Sequence, residues 1–298
     1  MQNDCSAATT EGKVELIADY ACDTGENPLW HAIEEKLYWC DIPRGRIFRF
    51  DPATGTHEQC YEGRPVGGFT MQCDGALLLF MDRGTIATWR DGNLTEVVET
   101  VPGELDSRFN DVIADPRGRV YCGTMSTEYQ KGRLYRLDLD GSLQLLLEGI
   151  GCSNGMAFSA DFKTFYHTDS FARQICRYDY QLETGTLSNG RAFAQFNDID
   201  GMPDGATLDK QGRLWCALWG GAGVVRLAED GTIDCKIPIP TPKISSLTFG
   251  GRNYDQMYVT TAGGTAREAD EDGAFAGALF RVRDVAIGVP EFCSHVRL

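Results

Sequence analysis

Basic residues are scarce in this sequence. Lys and Arg total 28 against 43 Asp and Glu, for a net charge of −15 and a pI near 4.7. A phosphate backbone needs basic partners, so this balance speaks against nucleic acid as a ligand. No segment approaches 18 consecutive apolar residues, so no membrane-spanning helix is expected. The start, Met1-Gln2-Asn3-Asp4-Cys5, has neither the basic region nor the apolar core of a secretory leader. Histidine is rare, with only His31, His57, His167 and His295, and no Gly-x-Ser-x-Gly elbow occurs. A Ser-His-Asp triad is therefore poorly supported, and His167 reads as a packed or hydrogen-bonded residue. The 11 cysteines are odd in number and irregularly spaced, and no C-x-x-C pair exists. That weighs against a zinc–thiolate site and against a redox motif. Cys40, Cys122 and Cys216 fall in strand-like runs, where a reduced thiol serves as a small apolar residue in a cytoplasmic protein. Gly220-Gly221-Ala222-Gly223 joins two strand-like runs and reads as a tight turn, not a nucleotide loop. Helical periodicity is nearly absent.

What is present is a repeated strand pattern, clearest in Asn197–Gly221. There Met202-Pro203-Asp204-Gly205 predicts a turn with Asp204 at its tip. An alternating run with Ala206 and Leu208 follows, then a Lys210-Gln211-Gly212 turn and a second strand over Arg213–Leu218. The same pattern recurs from Glu26, Gly68, Asn110, Asn154, Asp204 and Ser246, at successive intervals of 42, 42, 44, 50 and 42 positions. Most copies add a third strand that ends in an acidic or Gly turn, as at Asp51-Pro52, Asp140-Gly141 and Asp230-Gly231. A period of about 40 to 50 residues of short strands is that of a propeller blade. The alternative for this length, two β-sandwiches, rarely keeps so even a period. The reading is an all-β chain, a six-bladed β-propeller with a central channel over residues 14–298, preceded by a disordered segment 1–13. Val14–Tyr20 precedes the first copy and is expected to close the ring by pairing near Ala278–Val282.

In a propeller the innermost strand of each blade lines the channel, so the six leading positions form a ring about the axis. Glu26, Asn110, Asn154 and Asp204 bring two carboxylates and two amides to that ring. Arg108 and Asn110 are two apart, and so share a face of an extended strand. Gly67-Gly68 in the second blade offers no charged group and is expected to leave space in the channel. Asn154-Gly155 also fits a hairpin turn, but its phase matches that of Glu26 and Asp204. The stretch 262–275 is polar and Gly-rich and reads as a loop of the sixth blade.

Four motifs in order at blade spacing carry a resemblance. Gly25-Glu26-Asn27-Pro28-Leu29-Trp30, Arg108-Phe109-Asn110-Asp111, Ser153-Asn154-Gly155 and Pro203-Asp204-Gly205 resemble those of the SMP-30/gluconolactonase/regucalcin-like family. The likeness extends over roughly residues 14 to 298 and is greatest to sugar-lactone lactonases. It implies one divalent cation held by Glu26, Asn154 and Asp204, with Asn110 as a fourth ligand or a substrate-facing group. It implies substrate contacts from Arg108, Asn110 and Glu128. Asn27 departs from the Gly that many members carry, which bears on substrate shape.

Such an oxygen-only set suits Ca²⁺, Mg²⁺ or Mn²⁺, with Zn²⁺ and Fe²⁺ also open, and disfavours thiolate-bound zinc. Asp204 is the ligand best placed to act as catalytic base. The expected activity is metal-dependent hydrolysis of a sugar lactone to its aldonic acid. The expected partner is that small molecule alone, with no nucleic acid or membrane, met by a cytoplasmic monomer. Hydrolysis of phosphotriesters or aryl esters at the same metal site is the alternative chemistry. A non-catalytic calcium-binding propeller that engages another protein is the alternative class.

Overall fold

In a computed structural model of the chain, residues 14–197, 201–264 and 272–297 are described. The segment 1–13 and part of the loop expected at 262–275 lie outside them. The strands are β1 (Val14–Asp19), β2 (Gly25–His31), β3 (Lys36–Asp41), β4 (Arg46–Asp51), β5 (Thr56–Glu62), β6 (Val66–Met71), β7 (Leu77–Met81) and β8 (Ile86–Arg90). Then come β9 (Asn93–Val98), β10 (Phe109–Ala114), β11 (Val120–Thr124), β12 (Gly132–Leu137), β13 (Leu143–Ile150), β14 (Ser153–Phe158), β15 (Thr164–Asp169) and β16 (Gln174–Gln181). The last are β17 (Thr186–Gln195), β18 (Met202–Leu208), β19 (Leu214–Trp219), β20 (Gly223–Leu227), β21 (Ile233–Pro238), β22 (Ile244–Gly250), β23 (Gln256–Thr261) and β24 (Ala278–Arg283).

They form six four-stranded antiparallel sheets. Strands β2, β6, β10, β14, β18 and β22 touch one another in a closed ring, so the chain is a six-bladed propeller. Burial falls from axis to rim. Every residue of β2, β6 and β14 is buried, whereas β5 and β9 are mostly exposed. That gradient explains why sequence reading finds three strands per copy and misses the fourth. An outer strand such as Asn93–Val98 (NLTEVV) packs few residues inward, so its alternation is faint.

The chain closes its own ring. Val14–Asp19 pairs antiparallel with β24, from Val14 opposite Val282 to Asp19 opposite Ala278. Arg281 ties the pair by donating from Nε and Nη2 to Glu15 Oε2 at 3.1 and 2.7 Å. At the far end of the inner hairpins one aspartate device recurs. Asp115 Oδ1 accepts from the Arg117 and Arg119 amides, and Asp209 Oδ1 from those of Gln211 and Arg213. On that same face the C-terminal segment runs across several blades. Gly288 donates to Tyr254 O, Ser294 to Met71 O, His295 to Gly118 O and Arg297 to Leu139 O.

The turn expected at Met202-Pro203-Asp204-Gly205 is strand interior and lies within β18. Asn154-Gly155, whose phase favours the ring over a hairpin tip, lies within β14. Their glycines are there for close approach between inner strands. A Cβ on Gly155 would stand 2.5 Å from Asp204 O, and one on Gly205 would stand 2.1 Å from Ser246 Oγ. Every inner strand also carries a register break at or next to its leading residue, as between Glu26 and Leu29, Asn154 and Met156, and Pro203 and Ala206. A bulge twists the strand and re-aims a side chain, here at the level of the ring.

Ring closure through β1 generates a test. Deleting residues 1–19 uncovers the edge of β24, a template for intermolecular pairing. The truncated chain should melt lower and scatter light at concentrations where the full chain stays clear. Equal melting and scattering would show that this pairing contributes nothing.

Candidate functional site

One end of the channel opens into a cavity of about 240 Å³ lined by Glu26, Arg108, Asn110, Asn154 and Asp204, together with Thr24, Met125, Cys152, Ser170, Phe171, Met202 and Trp219. The four ring residues are all at least nine-tenths buried. They come from the starts of β2, β10, β14 and β18, so residues up to 178 positions apart meet because their strands begin at the same level.

The amides form a chain. Arg108 Nη1 donates to Asn110 Oδ1 at 2.6 Å and to Phe109 O at 2.9 Å. Asn110 Nδ2 donates to Asn154 Oδ1 at 2.6 Å and to Ser153 O at 2.9 Å. Asn154 Nδ2 donates to Ser170 Oγ at 2.8 Å, and that hydroxyl donates to Pro203 O at 2.6 Å. Both amides are thereby fixed in orientation. Asn110 stands between the arginine and the second amide.

The carboxylates are less well satisfied. Glu26 Oε2 accepts from the Asn27 amide at 2.9 Å. Asp204 Oδ1 is buried and has no hydrogen-bond partner. Burial above all, then the neighbouring charge of Asp111, pushes the Glu26 carboxyl up to about 8, against the pull of Asn27 N–H and Arg108. Burial and then Glu26 raise Asp204 well above the usual carboxylate range. Burial lowers Arg108, and the carboxylates resist that shift. Two buried carboxylates thus share a cavity with one arginine, an excess of negative charge that a bound cation would offset.

A lone buried carboxylate oxygen beside a second carboxylate and two amides is the donor chemistry of a hard divalent cation. The residues therefore fit the ion that the motifs imply. Among the described residues no group of three or more His, Cys, Asp or Glu is placed to hold a metal ion, so at this ring the two amides must complete the donor set of the two carboxylates.

Other expected residues fall elsewhere. Glu128 is exposed on the loop after β11 and does not line the cavity, although Met125 on the same loop does. Asn27 points away from the cavity. Its Nδ2 donates to Phe69 O at 3.0 Å and its Oδ1 accepts from Phe69 N–H at 3.2 Å, which laces blade one to blade two. Its φ of 48° explains the Gly of related sequences, since Asn tolerates that left-handed conformation better than most residues. Gly68 leaves no room either, because a Cβ there would meet Asn27 Oδ1 at 2.8 Å and Asn110 O at 2.9 Å. His167 is buried, contacts Ser153 Oγ through Nε2 at 2.8 Å, and is lowered to about 4 by burial. It is a neutral packing residue, as expected.

Sequence reasoning missed Ser170, Phe171 and Trp219, which stand at or just beyond the outer ends of second strands. The available signal was their phase. β15 and β19 return to the level of the ring, so whatever ends them faces its mouth.

Fold and cavity together define a six-bladed propeller with an oxygen-rich pocket on its axis. The family model described as SMP-30/Gluconolactonase/LRE-like region matches residues 24–263, and the chain belongs to that family. It is 46% identical to the pentonolactonase XacC of Haloferax volcanii over 96% of this chain and 99% of that protein. It is 31% identical to regucalcin of Gallus gallus over 94% and 97%. A solved luciferin-regenerating enzyme superposes with a TM-score of 0.88 at 28% identity, over 95% of this chain and 99% of that one.

The electrostatics generate a pH test. A carboxyl at 4.5 when unfolded and about 8 when folded binds more protons in the folded state. Its contribution to stability is therefore present at low pH and is lost as pH rises through that interval. Chelator-treated protein should lose melting temperature from about pH 5 to 8, and Glu26→Gln should flatten the slope. An unchanged slope in that variant would show that Glu26 is not the group responsible.

Proposed function

We propose that the protein is a metal-dependent hydrolase that opens a sugar lactone to its aldonic acid. The observation that carries the reading is the buried, unpartnered Oδ1 of Asp204, set beside Glu26, Asn154 and Arg108 in one open-mouthed cavity. The substrate class is supported by 46% identity to a pentonolactonase along nearly the whole chain.

Glu26, Asn154 and Asp204 hold the cation, with Asn110 beside them, and the ion is Ca²⁺, Mg²⁺ or Mn²⁺ by donor hardness. When bound, it polarises the lactone carbonyl and stabilises negative charge on that oxygen. The chain supplies the rest. Asp204 takes a proton from the water that attacks the carbonyl carbon. The ring C–O bond then breaks, and the departing oxygen recovers a proton as a hydroxyl. Arg108, oriented by its bonds to Asn110 and Phe109, donates to the sugar hydroxyls. Asn110 transmits that orientation to Asn154. Glu128, exposed beyond Met125, meets the substrate from the rim. The substrate is met by a cytoplasmic monomer with no other partner. Among the described residues no helix is long and apolar enough to cross a membrane.

The same site used on phosphotriesters or aryl esters, or a purely structural ion, makes different predictions. Asp204→Asn keeps an oxygen donor but loses the base, so turnover of an aldonolactone should fall by about 10² to 10⁴ while calorimetry still detects weak cation binding. Undiminished hydrolysis would remove Asp204 as the base. Arg108→Ala should lower kcat/KM for a sugar lactone far more than for a simple aryl ester, because only the sugar has hydroxyls to lose. Equal losses on both would sink the case for sugar specificity. Wild-type protein that opens no member of an aldonolactone panel, with cation loaded, would sink the reading itself.

A further inference from the structure

We propose that Trp219, flanked by Phe171, is the platform on which the lactone ring stacks, and that it makes the site specific for rings presenting a free C–H face. The inference rests on the lactonase reading above and names the substrate feature that the polar residues do not read.

The cavity has two unlike walls. Glu26, Arg108, Asn110, Asn154 and Asp204 supply the polar one, and Met125, Phe171, Met202 and Trp219 supply an apolar one. The polar wall accounts for the carbonyl and the hydroxyls. A furanose or pyranose lactone also has ring faces made of C–H groups, and these need an apolar partner to leave water. A flat aromatic surface meets such a face over a large area and loses little side-chain freedom in doing so.

Trp219 is built to stay in place. It ends β19, opposite Met202 of β18, and bridges to Lys243 on its other side. The Lys243 ammonium lies over the indole, 5.9 Å from the ring centroid. Lys243 is itself held by the buried Asp272 at 2.8 Å. A cation over the ring pins its orientation, and strand-borne groups hold position better than loop-borne ones. Neither Lys243 nor Asp272 lines the cavity, so both act on the indole from behind. Phe171 joins from the loop after β15 with 56% of its surface exposed, next to Ser170. A large apolar side chain left that open, at the mouth of a polar cavity, marks a contact surface.

The protein carries its own reporter. Of its five tryptophans, Trp30, Trp39, Trp89 and Trp215 are buried, and only Trp219 is partly exposed. The probe is a 1,4-anhydroalditol, the cyclic ether that keeps the ring and hydroxyls of the lactone but has no carbonyl to hydrolyse. Titration into cation-loaded protein should change tryptophan emission saturably, and Trp219→Phe should abolish that change.

In steady-state assays Trp219→Ala should raise KM for the aldonolactone roughly tenfold, the size of one good aromatic contact. It should affect kcat less, and Trp219→Phe should recover most of the loss. An acyclic aryl ester should show a much smaller rise. A residue that only supported the fold would depress both substrates and the melting temperature together, and phenylalanine would not restore the split. The inference is overturned if Trp219→Phe keeps the full emission change, or if Trp219→Ala keeps the wild-type KM for the lactone. Either result leaves lactone hydrolysis by the wild type standing, whereas failure of the wild type on every lactone brings down the functional reading first.

Discussion

Two carboxylates, Glu26 and Asp204, are forced together at the axis of the propeller with a single arginine to offset them. Radial packing causes this. Each inner strand begins at the same level, and the register breaks at their starts turn the leading side chains toward the centre. Burial then raises both acids above their ordinary range, with the charge of Asp111 adding to the shift of Glu26 and that of Glu26 to the shift of Asp204. Such a cluster persists only because the rest of the fold holds it. The amide chain from Arg108 through Asn110 and Asn154 to Ser170 is the part of that support in direct contact with it.

The crowding also dictates backbone chemistry. Inner strands approach so closely that Gly155 and Gly205 face a neighbouring carbonyl oxygen and a serine hydroxyl. The dipeptides Asn-Gly and Asp-Gly, which in isolation signal turns, are here a donor followed by the space that lets the next strand in. The far face answers a different need. There the aspartate turns and the C-terminal segment tie blades to one another, and the pocket at the other end is left as the open mouth.

A pocket with one polar and one apolar wall divides the work of recognition. On the proposed reading, donors and acceptors read hydroxyls and stabilise charge, while the aromatic surface reads shape. The polar wall comes from strand starts nearest the axis, and the apolar one comes mostly from beside them, from Trp219 of β19 and the loop residues Met125 and Phe171, with Met202 sharing β18 with Asp204. Substitutions in the apolar wall can therefore alter which ring is accepted without disturbing the carboxylates. That is a physical route by which one scaffold serves many substrates.

Much of this was legible in the chain itself. Strand period and side-chain type are local properties, so the six blades, the closing strand near Val14 and the ring Glu26, Asn110, Asn154 and Asp204 follow from spacing alone. Outer strands such as Asn93–Val98 were faint because a mostly exposed strand imposes little pattern. In sequence Asn27 reads as a departure that bears on substrate shape, but its φ and its bonds to Phe69 make it a tie between blades. Glu128 could be placed at the site only by resemblance, and a loop's path does not follow from its composition. Ser170, Phe171 and Trp219 gave no local sign of function, because they become neighbours of the ring only when second strands return to its level. The sequence by itself determined which oxygen donors the protein carries and at what interval. Tertiary structure decided how closely they crowd, which oxygen is left without a partner and what covers the opposite wall, since those depend on contacts between residues far apart in the chain.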